Sequence, residues 1–212
     1  MKQSQILVPR VKPRSRKVIE SAASTFLARF AAHCLRTPTM LPVEQLFDQV
    51  LPRHYRFQPG IEVLPPGLLG LTDCGARTVT LAAHVHESLT QHDGSARFTT
   101  CHEIGHVVLH GSDLAKSKIS FREHEGSAPI LARRSELPAY EDPEWQANTF
   151  SAALLMPSPM VMALLAKVGR PRLVPEMMRV FAVSREAAET RLATIGRTTI
   201  HTNSTTKSRT LR

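Results

Sequence analysis

The chain is poor in cysteine: Cys34, Cys74 and Cys101 are its only three, an odd number with no close pair. That excludes a disulfide-stapled secreted scaffold and the paired-cysteine zinc modules, and it fits a reducing, cytoplasmic setting. Cys101 reads as a small buried hydrophobe on a helix and not as a metal thiolate. Long apolar runs are missing too. Residues 150–156 and 160–166 are the most hydrophobic, and prolines and a serine separate them, so no membrane span is expected. Near the N-terminus Ile6, Leu7 and Val8 run into Pro9 and a basic cluster, so no secretory signal is expected either.

Acidic residues are absent from both ends. Residues 1–17 carry six basic side chains and residues 197–212 four more, so between Val18 and Gly196 only 17 basic residues stand against 18 acidic ones. The formal charge of +9 therefore belongs to the ends, which read as a flexible basic N-terminal tail (1–17) and a disordered basic tail (197–212). The remainder is close to neutral, which argues against direct, specific nucleic-acid binding.

What is present is ordered by period. Ile19, Ala22, Ala23, Phe26 and Phe30 predict a helix over 18–34, and Pro42 starts a second. Apolar runs at 61–64, 68–72 and 78–81, split by Pro65-Pro66-Gly67 and Asp73-Cys74-Gly75, predict a small meandering sheet. A helical stripe over 95–110 ends at Gly111, placed as a C-cap. Residues 111–141 read as a long irregular connection, and Asp142-Pro143 opens a helix that runs to Met156. Helices over 159–167, 175–181 and 184–195 follow, the last closed by Gly196. A main domain over 18–157 with a helical part over 158–196 packed on it is the expected organisation.

His102-Glu103-Ile104-Gly105-His106 lies in the third of these helical segments. Residues i and i+4 share a helix face, so both imidazoles can reach one zinc while Glu103 stands beside it as a proton acceptor. A catalytic zinc takes a third protein ligand and leaves one position for water. His110 shares the face, but eight residues of helix put it about 12 Å from His102, too far to join the set. Asp113 lies just past the helix-ending glycine and is a weaker candidate. Glu144 is the best one: it opens the next helix, Asn148 follows one turn on to orient its carboxylate, and Trp145, Phe150, Leu154 and Leu155 can press the two helices together.

Arg97-Phe98-Thr99, then His102-Glu103-x-Gly105-His106 with His110, then Glu144-x-x-Ala147-Asn148-x-Phe150-x-Ala152-x-Leu154-Leu155-Met156-Pro157, resembles the ImmA/IrrE metallopeptidase family. The resemblance extends over 18–196; Cys101 departs from the common alanine, and the interval from His106 to Glu144 is long. It implies an α+β, zincin-like fold, mostly helical, with a helix-turn-helix-like C-terminal part. It also implies His102, His106 and Glu144 as zinc ligands, Glu103 as catalytic acid/base, and a protein substrate, an XRE-type helix-turn-helix repressor, often in stress responses. Tyr140, His110 and His124 are candidates to stabilise an oxyanion, and the strand at 78–81 is expected to offer an edge for an extended substrate. The rival reading is a DNA-binding regulator whose recognition helix offers Arg185 and Arg191, with an idle or regulatory zinc site.

Overall fold

A computed structural model describes residues 11–115, 120–124 and 138–206, with side chains described for 11–115 and 138–195. Three helices form the frame. Ser15 caps α1 (Arg16–Phe30) by accepting from the Val18 amide, and its stripe of Ile19, Ala23, Phe26 and Leu27 is buried. Asp93 caps α4 (Gly94–His110) through the Ser95 and Ala96 amides, and Asp142 caps α5 (Pro143–Leu155) through the Glu144 amide. These caps satisfy amides that a helix start leaves unpaired, which is why both motif helices begin where the aspartates stand. Helix α5 packs on both α1 and α4, with Phe150 edge-on to Phe26 at 6.1 Å between ring centroids. Between α1 and the sheet, a short 3-10 turn (Ala32–Leu35) precedes α2 (Val43–Gln45), which continues as a π-helical stretch over Leu46–Tyr55.

The sheet holds β1 (Gln58–Glu62), β2 (Leu68–Asp73), β3 (Thr78–Ala82) and β4 (Ser120–His124), in the order β1-β3-β2-β4. It is not the expected meander. β2 and β3 form an antiparallel pair, but β3 inserts between β1 and β2 and runs parallel to β1. The first strand also lies earlier than 61–64, because its register is set by pairing Gln58 with Thr78 through Glu62 with Ala82; Val63 falls beyond that ladder and is exposed. As an interior strand β3 has no free edge, which overturns the expectation that 78–81 receives substrate; the edges are β1 and β4. A further helix, α3 (Ala83–Thr90), separates β3 from α4.

Helices α6 (Ser158–Val168), α7 (Arg170–Phe181) and α8 (Arg185–Thr206) complete the chain. α7 starts five residues before Pro175 because Pro171 already occupies the first turn, where proline is favoured. α8 runs through Gly196 to Thr206, which corrects the expected stop. An interior glycine costs a helix only about 1 kcal/mol relative to alanine, and no proline follows it. Residues 207–212 of the C-terminal tail, and 1–10 of the other, lie outside the described residues. The N-terminal expectation also fails for residues 11–17. Val11 is buried, the Arg14 amide donates to the Tyr140 carbonyl at 2.9 Å, and α1 begins at Arg16.

Two buried arginines tie the last helices to the frame. Arg97 of α4 donates to the Leu41 and Ala182 carbonyls at 2.9 and 3.0 Å. Arg191 of α8 makes a two-point contact with the Glu20 carboxylate of α1 at 2.6 and 3.1 Å, and reaches the Met156 carbonyl and Ser158. Of the two cations a recognition helix was expected to offer, Arg191 is 1% exposed and engaged, while Arg185 remains outside. Among the described residues no single helix is long and apolar enough to cross a membrane; α5 and α6 together pass on length and composition only, bent by 47°.

Candidate metal centre

The site lies where α4 meets α5, and glycine lets them meet. A Cβ on Gly105 would stand 3.2 Å from the Ala147 Cα and 3.3 Å from the Phe150 ring, so the bare position 105 is what lets α5 come this near. The close approach carries Glu144, in the first turn of α5, to the two histidines. Its Oε2 lies 3.2 Å from His102 Nε2 and 3.7 Å from His106 Nε2, and the two nitrogens are 2.9 Å apart. Among the described residues these three form a group whose ligand atoms all lie within 4.8 Å of one another, as donors around one ion must. Both histidines are fully buried; the Glu144 side chain keeps 17% of its exposure, so the group opens on the glutamate side.

The outward faces of the imidazoles are also held. His102 Nδ1 meets Asn148 Oδ1 at 2.8 Å, so Asn148 orients this histidine and not the Glu144 carboxylate that its one-turn spacing suggested. With Nδ1 donating to that carbonyl, Nε2 is left with its lone pair toward Glu144. His106 Nδ1 meets His110 Nδ1 at 3.2 Å, and His110 Nε2 meets Gln146 Oε1 at 3.2 Å. His110 is therefore behind the ligand set, neither a ligand nor a donor at the open side. Burial, and next the neighbouring His106, push its pKa well below the usual imidazole range and keep it neutral. Burial alone would raise the Glu144 pKa, but His106 and His102 outweigh it and hold the carboxyl well below its ordinary value, so it is ionised as a ligand should be.

Glu103 faces the sheet. The Thr72 hydroxyl of β2 donates to Glu103 Oε2, and a Cβ on Gly70 would fall 2.5 Å from Oε1. Gly70 and Thr72 share the inward face of β2 by its two-residue period, so the strand offers one hydroxyl and one bare position to the carboxylate. Neither residue was singled out from the sequence; the only signal was a glycine inside an apolar strand, which marks a close approach.

The remaining expected residues divide. Asp113 is paired with Arg14 at 3.1 Å and stays out of the ligand group. Tyr140 is half exposed and joins the network through its backbone carbonyl, while the side chain of His124 lies outside the described residues. Cys101 is buried, away from the ligand group, and its thiol is pushed up to about 12 by burial. Gly111 caps α4 in a right-handed conformation, and its missing side chain makes room for the Phe57 ring, 3.0 Å from where a Cβ would be.

The family model Peptidase_M78, the IrrE N-terminal-like domain, matches residues 75–193, a span that contains all three residues of the group together with Glu103. No curated protein matches the chain significantly.

Proposed function

The chain belongs to the IrrE N-terminal-like peptidase family and is a metallopeptidase of the IrrE/ImmA type, and on that premise we propose that it is a zinc-dependent endopeptidase with a helix-turn-helix repressor of the XRE type as substrate. The observation that carries the zinc assignment is the donor set: two imidazole nitrogens and one carboxylate oxygen converge, the usual ligand chemistry of a three-ligand catalytic zinc. When bound, zinc supplies Lewis acidity, polarising a scissile carbonyl and bringing the pKa of water toward 7. Glu103 takes the proton of the attacking water and delivers it to the leaving amine nitrogen as the C–N bond breaks, so no covalent intermediate is needed. Thr72 holds one oxygen of that carboxylate in place, and its approach across Gly70 keeps the base against the sheet. Substrate enters from the Glu144 side, where the group retains exposure.

A narrow protein target in a reducing compartment fits three cysteines that are all free and buried. The test is to incubate the repressor-like protein encoded nearest to this gene with wild type and with Glu103→Gln, zinc present, and to identify fragments by mass. A discrete cut by wild type that falls at least ~100-fold in Glu103→Gln, with zinc retained, is expected. Equal cutting by both proteins contradicts the assignment of Glu103. No cutting of the repressor or of a broad peptide library by zinc-loaded wild type contradicts the peptidase reading.

A further inference from the structure

Residues 11–14, which lie outside the span matched by the family, reach across the molecule to a side chain two residues after Glu144. Resting on the zinc reading above, we propose that this N-terminal strap and Gln146 form a clamp that fixes His106 in the one tautomer able to bind metal through Nε2. Both amide hydrogens of Gln146 are committed, to the Lys12 carbonyl at 3.0 Å and the Tyr140 carbonyl at 2.8 Å. That settles which end of the amide is nitrogen and turns Oε1 the other way, where Arg14 Nη1 donates to it at 3.2 Å. Only an N–H can complete the contact from His110 Nε2 to the same oxygen. A neutral imidazole has one N–H, so His110 Nδ1 carries a lone pair and must accept from His106 Nδ1. The proton of His106 is thereby held at Nδ1, and its Nε2 lone pair faces Glu144 and His102.

Each step is a choice between two states, and the strap makes the first one. Arg14 also anchors the strap to α4, donating to the Leu109 carbonyl at 2.6 Å and pairing with Asp113. Gln146 is a positioning residue that acts through His110, and the Lys12 contribution is its backbone carbonyl. The buried Gln146 amide has no other described use.

The test uses full-length wild type, Gln146→Leu and Arg14→Ala, with two readouts. Zinc dissociation constants come from competition with a chromophoric chelator. Long-range proton–nitrogen spectra of the metal-free, nitrogen-15-labelled proteins report which ring nitrogen of His106 carries the proton. Wild type is expected as the Nδ1–H tautomer; Gln146→Leu is expected to bind zinc ~10–100-fold more weakly and to show mixed tautomers. Arg14→Ala is expected to lose ~3–10-fold in the same direction, as the partner of a partner. Wild-type His106 protonated at Nε2, or both variants binding zinc within about twofold of wild type with the tautomer unchanged, overturns the clamp. If Gln146→Leu does not fold, Arg14→Ala and the wild-type spectrum still decide. Wild type that binds no zinc removes the zinc reading, and the tautomer spectra then judge the clamp by themselves.

Discussion

Helix α4 buries polar chemistry toward both ends, and the two ends solve the problem in opposite ways. Near its start, Arg97 is 2% exposed and meets backbone carbonyls of the chain around it; the companion Arg191 meets a carboxylate, a carbonyl and a hydroxyl. The Nε and Nη2 donors of Arg97 and the guanidinium of Arg191 face acceptors. Toward the C-terminal end the pattern inverts, because His102 Nε2, His106 Nε2 and Glu144 Oε2 converge while the outer nitrogens of the two histidines are held by Asn148 and His110. The arginine end is closed by the protein itself and is structural. The histidine end converges three ligand atoms on a point, an arrangement that suits a cation. Both ends bury polar groups, and the direction of the donors separates scaffold from site.

The contrast is broken most severely at the arginine end. Glu20→Ala strands the buried Arg191 charge, and a loss of about 3–5 kcal/mol in unfolding free energy is expected by denaturant titration. If the two ends are independent, zinc binding by the folded fraction does not change. The same pair sets an acid limit. Burial alone would raise the Glu20 carboxyl, but Arg191, Ser158 and Arg16 outweigh it and lower its pKa in the folded chain. A carboxyl lowered on folding contributes stability above its ordinary value near 4.5, and that contribution is lost as pH falls through the lowered value. The stability difference between wild type and Glu20→Ala should therefore shrink below about pH 4.5 and hold at neutral pH. A difference that grows in acid contradicts the pairing.

At the histidine end, Gly70→Ala sharpens the division between holding metal and using it. The new methyl must displace the Glu103 carboxylate, so activity on the protein substrate should fall about 10–100-fold, or about 1.4–2.8 kcal/mol in the barrier, with zinc content unchanged. Loss of zinc in that variant would mean that Glu103 belongs to the ligand set. The smallest effect is expected at Arg185, exposed and paired with exposed Glu189: Arg185→Ala should move stability by no more than about 0.5 kcal/mol.

These regions also differ in how they read from sequence. His102, His106 and Glu144 were legible because helical spacing and an Asp-Pro cap fix their relation locally, whereas Asn148 was expected on the Glu144 carboxylate and meets His102. The groups that support them were not, since Thr72 meets Glu103 across 31 positions and Gln146 meets Lys12 across 134. Strand order failed for the same reason. The 78–81 run is apolar and regular, and nothing inside it says that β1 pairs on one side and β2 on the other. Residues 11–17 misled through composition: their basic residues suggested solvent, whereas Arg14 uses its charge on Asp113 and its remaining donors on Leu109 and Gln146.

The central claim is that the inverted end of α4 holds a zinc ion, and elemental analysis of the full-length protein after reconstitution with zinc and removal of excess tests it most directly. Wild type should hold about one zinc per chain, with His102→Ala and His106→Ala holding none and Glu144→Ala nearly none, each variant checked for folding by its melting curve. Folded wild type without zinc, or either histidine variant with a full complement, would contradict it.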